Sequence, residues 1–132
     1  MTTTYVDEYT VARGLLSGWT ATPIVWENTG SKPAGLAAWM RFTLLSTATD
    51  HIGMPMIGRR ARHSGEVVLE FFVPIGGGPG DVLRLVDQAM ALFAGKTTGG
   101  LRFLVPVPDI IGEDEGWYRV NLRCPFIRDF TF

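Results

Sequence analysis

Between Glu66 and Phe93 the chain changes from one hydrophobic period to another. Val67, Leu69, Phe71 and Val73 alternate with their neighbours, the period of a strand with one buried face. Gly76-Gly77-Gly78-Pro79-Gly80 makes a turn, and Val82, Leu85, Val86, Ala89, Leu92 and Phe93 then repeat at helical spacing. This predicts a strand, a glycine-rich turn and an amphipathic helix that starts at Asp81. A second helix is predicted near the N-terminus, where Tyr5, Tyr9, Ala12, Leu16 and Trp19 share a face. Thr4 is placed as its N-cap, Asp7 and Glu8 fall in its first turn, and Gly18 is a C-terminal stop. Gly14 inside it costs about 1 kcal/mol relative to alanine, so packing must hold that helix.

The other segments read as strands and turns. Residues 22–27 form a short strand, followed by a turn over 29–33. A longer strand is predicted over 36–45, with Leu36, Ala38, Met40, Phe42 and Leu44 on one face and Trp39, Arg41 and Thr43 on the other. Residues 46–64 contain Gly53, Pro55 and Gly58, then Arg59, Arg60, Arg62 and His63, and read as an extended loop or a long hairpin leaving the body. Leu101, Phe103 and Val105 alternate until Pro106 and Pro108 end that strand. Glu113-Asp114-Glu115-Gly116 is a turn, and 117–124 is the last clear strand, with Tyr118, Val120, Leu122 and Cys124 inward. The sum is one α+β domain over residues 1–132, a mixed, largely antiparallel sheet of about five strands flanked by two helices. Trp39, Phe72, Leu104 and Trp117 fall on the faces opposite the core series. Either a helix covers that second face or another subunit does.

A length of 132 residues suits one packed core, and 46% hydrophobic with 19% charged residues is globular rather than disordered. Twelve basic and thirteen acidic side chains give a net charge of −1, so no overall bias toward nucleic acid or membrane follows, and little repulsion opposes self-association. Cys124 is the only cysteine, which excludes an internal disulfide and a thiolate cluster. Met1-Thr2-Thr3-Thr4-Tyr5 lacks the basic start and apolar run of a signal peptide, and no apolar stretch approaches membrane-spanning length. A soluble protein of a reducing cytoplasm, with no membrane contact, is expected.

The chemistry-bearing residues nominate no catalytic, cofactor-binding or metal-binding group. The glycine-rich turn opens on Asp81, a negative charge where a phosphate would sit, and no Gly-Lys-Ser/Thr follows it. His51 and His63 have no cysteine or third histidine to complete a metal set. No Gly-x-Ser-x-Gly elbow is present, and Glu113, Asp114 and Glu115 read as a solvated turn rather than paired catalytic acids. Arg59, Arg60, Arg62 and His63 are the one local charge concentration. They are a solvated loop, a partner for an acidic patch such as 113–115 on a neighbouring chain, or a set of phosphate contacts; without interleaved aromatics, base stacking is not expected.

The order of several short motifs carries a resemblance. Trp26-Glu27-Asn28 before a Pro/Gly turn, Trp39-Met40-Arg41, Phe71-Phe72-Val73-Pro74 with Gly76-Gly77-Gly78, Glu115-Gly116-Trp117-Tyr118 and Cys124-Pro125-Phe126-Ile127-Arg128-Asp129 follow one another along nearly the whole chain. In this order the chain resembles the tail-terminator (tail-completion) proteins of long-tailed bacteriophages and gene transfer agents. The resemblance implies a structural virion protein without cofactor or catalysis. It implies a hexameric ring of copies at the tail-neck junction, assembled in the bacterial cytoplasm. Such a ring caps the finished tail tube, halts addition of the tail tube protein and presents a surface to the head-tail connector protein, while DNA passes through the lumen without specific binding. The interface residues expected are Arg59, Arg60, Arg62, His63, Glu113, Asp114, Glu115, Trp39 and Trp117. A head-tail adaptor of similar build is the alternative, and a small-molecule-binding domain with Trp26, Trp39 and Trp117 lining a pocket is a further one.

Overall fold

The computed structural model describes residues 4–29, 37–53 and 59–132. The expected turn over 29–33 beyond Thr29, the strand start at Leu36, and Pro55 and Gly58 lie outside the described residues. The elements are α1 (Tyr5–Gly14), β1 (Ile24–Val25), β2 (Trp39–Ile52), β3 (Arg60–Pro74), α2 (Gly80–Phe93), β4 (Thr97–Thr98), β5 (Leu101–Phe103), β6 (Val107–Asp114) and β7 (Trp117–Thr131). They form one sheet in the order β1-β2-β3-β7-β5-β4, with β6 also paired to β7. Among the described residues only β1 runs parallel to its neighbour; the other pairings are antiparallel.

The fold is the α+β class that the hydrophobic pattern predicts, with seven strands among the described residues where about five were expected. Three of the seven are pieces of two or three residues, too short to show a period. Pro108 does not end a strand but lies inside β6. Among the described residues β6 pairs only with β7, which leaves it a free edge, and a proline is tolerated there because its missing N–H need not serve the ladder.

β3 and β7 are the spine of the sheet, paired without a break from Arg60↔Thr131 to Pro74↔Trp117. Both helices lie on the same sheet face: Ala12 from α1, Leu16 just after it, and Val82, Val86, Ala89 and Phe93 from α2 join Met40, Phe42, Leu69, Phe71, Val120, Leu122 and Phe126 in one core. Thr4 and Asp7 form a reciprocal capping box at the start of α1. The α-helix stops at Gly14 and continues as tighter turns, Leu16 N–H to Arg13 O and Ser17 N–H to Gly14 O, consistent with the cost of that glycine. Leu16 and Trp19 still reach the core from these turns. α2 starts at Gly80 with Pro79 before it, and Asp81 in its first turn receives Arg84 Nη1 at 2.8 Å.

The described residues of the segment 46–64 are two long antiparallel strands. The β2–β3 pairing continues through a bulge between Ser46 and Ala48 to Ile52↔Arg60, and the end of β7 accompanies it. A three-stranded arm therefore extends beyond the helices. At its root Gly65 faces inward, where an added Cβ would lie 2.7 Å from both Leu45 O and the Phe126 ring. The ring occupies the space a side chain would need.

Candidate interaction surfaces

Among the described residues, no helix covers the second sheet face; arginines and aromatics cover it instead. Phe72 is stacked on Trp39 with ring centroids 4.1 Å apart, and the guanidiniums of Arg41 and Arg119 lie 5.4 and 5.2 Å from its ring. Trp117 meets Trp39 edge-on at 6.1 Å. Arg41 donates two hydrogen bonds to Glu70 at 3.1 and 2.5 Å, and the Glu70 carboxylate beside it raises the Arg41 pKa. Arg119 also donates to Glu70 and, at 3.1 Å, to Asp114, while Arg123 pairs with Glu66 at 3.1 Å. The charges on this face are largely matched, and the arginine stems shelter the aromatic rings. The Trp39 indole N–H is buried without an acceptor. Trp26 is on the helix side, 5.2 Å from the Phe42 ring and under the Arg13 guanidinium. The three tryptophans thus do not line one pocket, because alternation along β2 sends Trp39 to the face opposite Phe42.

His63 is not a surface residue of the arm. It shares the inward parity of Gly65 and Val67, is 2% exposed, and has Nδ1 2.6 Å from Glu8 Oε2 and Nε2 3.1 Å from Ser46 Oγ. Arg128 Nε donates to the same Glu8 oxygen at 2.5 Å, and both side chains of that pair are 2% exposed. Tyr5 stands edge-on to His63 at 4.8 Å and under the Arg128 guanidinium at 4.8 Å. A serine, a histidine and a carboxylate in this order can also serve nucleophilic catalysis. Here the carboxylate is shared with an arginine, and the His63 ring is walled in by Tyr5 and Phe126. What the cluster does physically is fasten α1 to the root of the arm. Composition gave no sign of it. The available signal was periodicity, since His63 and Arg128 are chargeable groups at inward strand parity and Glu8 lies four residues before Ala12 on the buried face of α1.

The remaining arm residues divide. Arg62 pairs with Asp129 across β3 and β7 at 2.7 and 3.0 Å, which holds the Asp129 carboxyl below its ordinary value and raises the Arg62 pKa. Arg59 and Arg60 are exposed. At the far end of the sheet Asp114 is bound to Arg119, and Glu113 and Glu115 are exposed, Glu115 with φ 49° in the β6–β7 turn. The basic arm and the acidic turn lie at opposite ends of the fifteen-residue β7, about 45 Å apart at strand rise. One chain cannot bring them together. A third feature is apolar: Val105, Val107, Ile110 and Ile111, in and just before β6, are 73, 55, 60 and 46% exposed.

Among the described residues no group of histidine, cysteine, aspartate or glutamate is arranged to hold a metal ion, and no helix is long and apolar enough to cross a membrane. Burial pushes the Cys124 thiol up to about 12, which makes it an inert core residue. A single-sheet α+β fold whose second face, among the described residues, carries no helix, with an apolar strand edge and oppositely charged ends, has the build of an assembly component. The family model of the phage tail terminator protein matches residues 7–126, and the chain belongs to that family of structural virion proteins. A solved structure matches with a TM-score of 0.65 at 19% identity, over 98% of this chain and 96% of that one, which supports the fold alone. No curated protein matches.

Proposed function

We propose that the chain assembles as a homo-hexameric ring that caps the completed tail tube, stops further addition of tube subunits and offers its other rim to the head-tail connector. The particle is a long-tailed phage or a gene transfer agent, and the ring stands at its tail-neck junction after assembly in the host cytoplasm. Beside family membership, the observation that carries this reading is the separation of Arg59 and Arg60 from Glu113 and Glu115 along β7. Two complementary but different patches make a head-to-tail contact, and such contacts close into rings when the rotation permits.

In this ring Arg59 and Arg60 of one copy face Glu113 and Glu115 of the next. Arg62 and Asp114 hold the two patches in shape through Asp129 and Arg119. His63 acts from below, by fixing the root of the arm. Trp39 and Trp117 supply an apolar area on the uncovered sheet face for a partner surface. Placing the arm arginines at subunit contacts keeps them out of the lumen, where they would retard DNA by binding phosphates. Capping requires only that one rim match the tube end more tightly than an incoming tube subunit does; no bond is made or broken. The test is polymerisation of the purified tube protein with this protein added below stoichiometry. Shortened tubes with ring density at one end are expected, and an unchanged length distribution contradicts the reading.

A further inference from the structure

The core face of the sheet outruns the helices that cover it. α1 reaches only to His63 and Arg128 through Glu8. Beyond them the inward positions continue as His51, Ala61 and Phe130, in register across β2, β3 and β7. With Thr49, Asp50 and Phe132 these residues enclose a shallow, mainly apolar groove of about 380 Å³. His51 meets Phe132 edge-on at 5.7 Å, Phe130 lies under Arg128 at 4.6 Å, and Phe132 is 61% exposed.

We infer that this groove receives the apolar ridge of β6, centred on Ile110 and Ile111, from a second copy of the chain. The inference rests on the ring reading and names which surfaces meet in it. Three observations favour that occupant. The ridge is a concentration of exposed aliphatic side chains on a free strand edge, a feature that monomeric proteins suppress. The rims also match in charge: the Arg59 guanidinium stands 6.0 Å from the Phe132 ring of the groove, and Glu113 and Glu115 are exposed beyond the ridge. Finally, a copy cannot seat its ridge in its own groove. Ile110 is paired with Val120 and Ala61 with Phe130, so ridge and groove stand about 30 Å apart along β7. Each copy therefore offers one ridge and one groove, and satisfying both requires a neighbour on each side.

The experiment is photocrosslinking in purified tails, with benzoylphenylalanine in place of Phe132 and the joined peptides read by mass spectrometry. The reagent reaches only its immediate neighbours, so a link from position 132 to residues 107–111 can arise only between copies. That link is expected, together with its loss in an Ile110→Asp variant whose circular dichroism is unchanged. A link from 132 to another segment of the chain, to the tube protein or to the connector overturns the inference, as does no link at all. Tail length and native mass spectrometry of the detached protein decide the ring reading separately. Rings on normal tails with a link elsewhere would leave that reading standing and remove only the ridge.

Discussion

Glu8 accepts a hydrogen bond from Arg128 Nε at 2.5 Å across 120 positions of sequence, with both side chains buried. The pair joins the first helix to the last strand, and the same carboxylate oxygen lies 2.6 Å from His63. A buried guanidinium that loses its carboxylate is costly, so Glu8→Ala is expected to lower stability by about 3–5 kcal/mol. Urea denaturation measures this. A loss below about 1 kcal/mol would mean that water replaces the carboxylate and that α1 is held by its apolar face alone.

Two glycines should respond in opposite senses. At position 65 a Cβ would strike Leu45 O and the Phe126 ring, each at 2.7 Å, so Gly65→Ala is expected to cost about 1–3 kcal/mol. At position 14 nothing lies within 4 Å of the added atom, and Gly14→Ala should gain up to about 1 kcal/mol by helix propensity. Denaturation midpoints of the two variants settle both. Equal responses would show that the close approach at the arm root is relieved by shifting the ring.

Asp129 links the arm to pH. Arg62, hydrogen-bonded to it, holds its folded pKa below the ordinary 3.8. A depressed carboxylate contributes stability that is complete above its unfolded pKa and is lost as pH falls through the folded one. The wild type should therefore lose this contribution below about pH 4, and Asp129→Asn should show a flatter fall of stability there. Parallel acid transitions for the two proteins would exclude the pair as a contributor.

Much of the fold was legible in the hydrophobic pattern. β3 and α2 were visible because each carries a full apolar period, and the inward set of β7 followed from the same alternation. β6 was not, because Val107-Pro-Asp-Ile-Ile-Gly has no clean period: its bulge between Ile110 and Gly112 breaks the register, and Pro108 reads as a stop. The arm was legible as an extension, yet His63 was grouped with the arginines beside it. Proximity in sequence says little about facing in a strand, where neighbours point to opposite sides. The Arg41–Glu70–Arg119 layer over Phe72 was hidden for a related reason. It joins three strands whose pairing the sequence does not state, so Trp39 and Phe72 looked bare when they are partly covered by their own chain.

The most direct measurement is tail length in particles assembled without this protein, read by negative-stain electron microscopy. Tails that overrun their normal length and fail to join heads are the predicted result. Tails of normal length that merely stay unattached would contradict termination and assign the chain to the neck as an adaptor. Intact particles would contradict any role at the tail-neck junction.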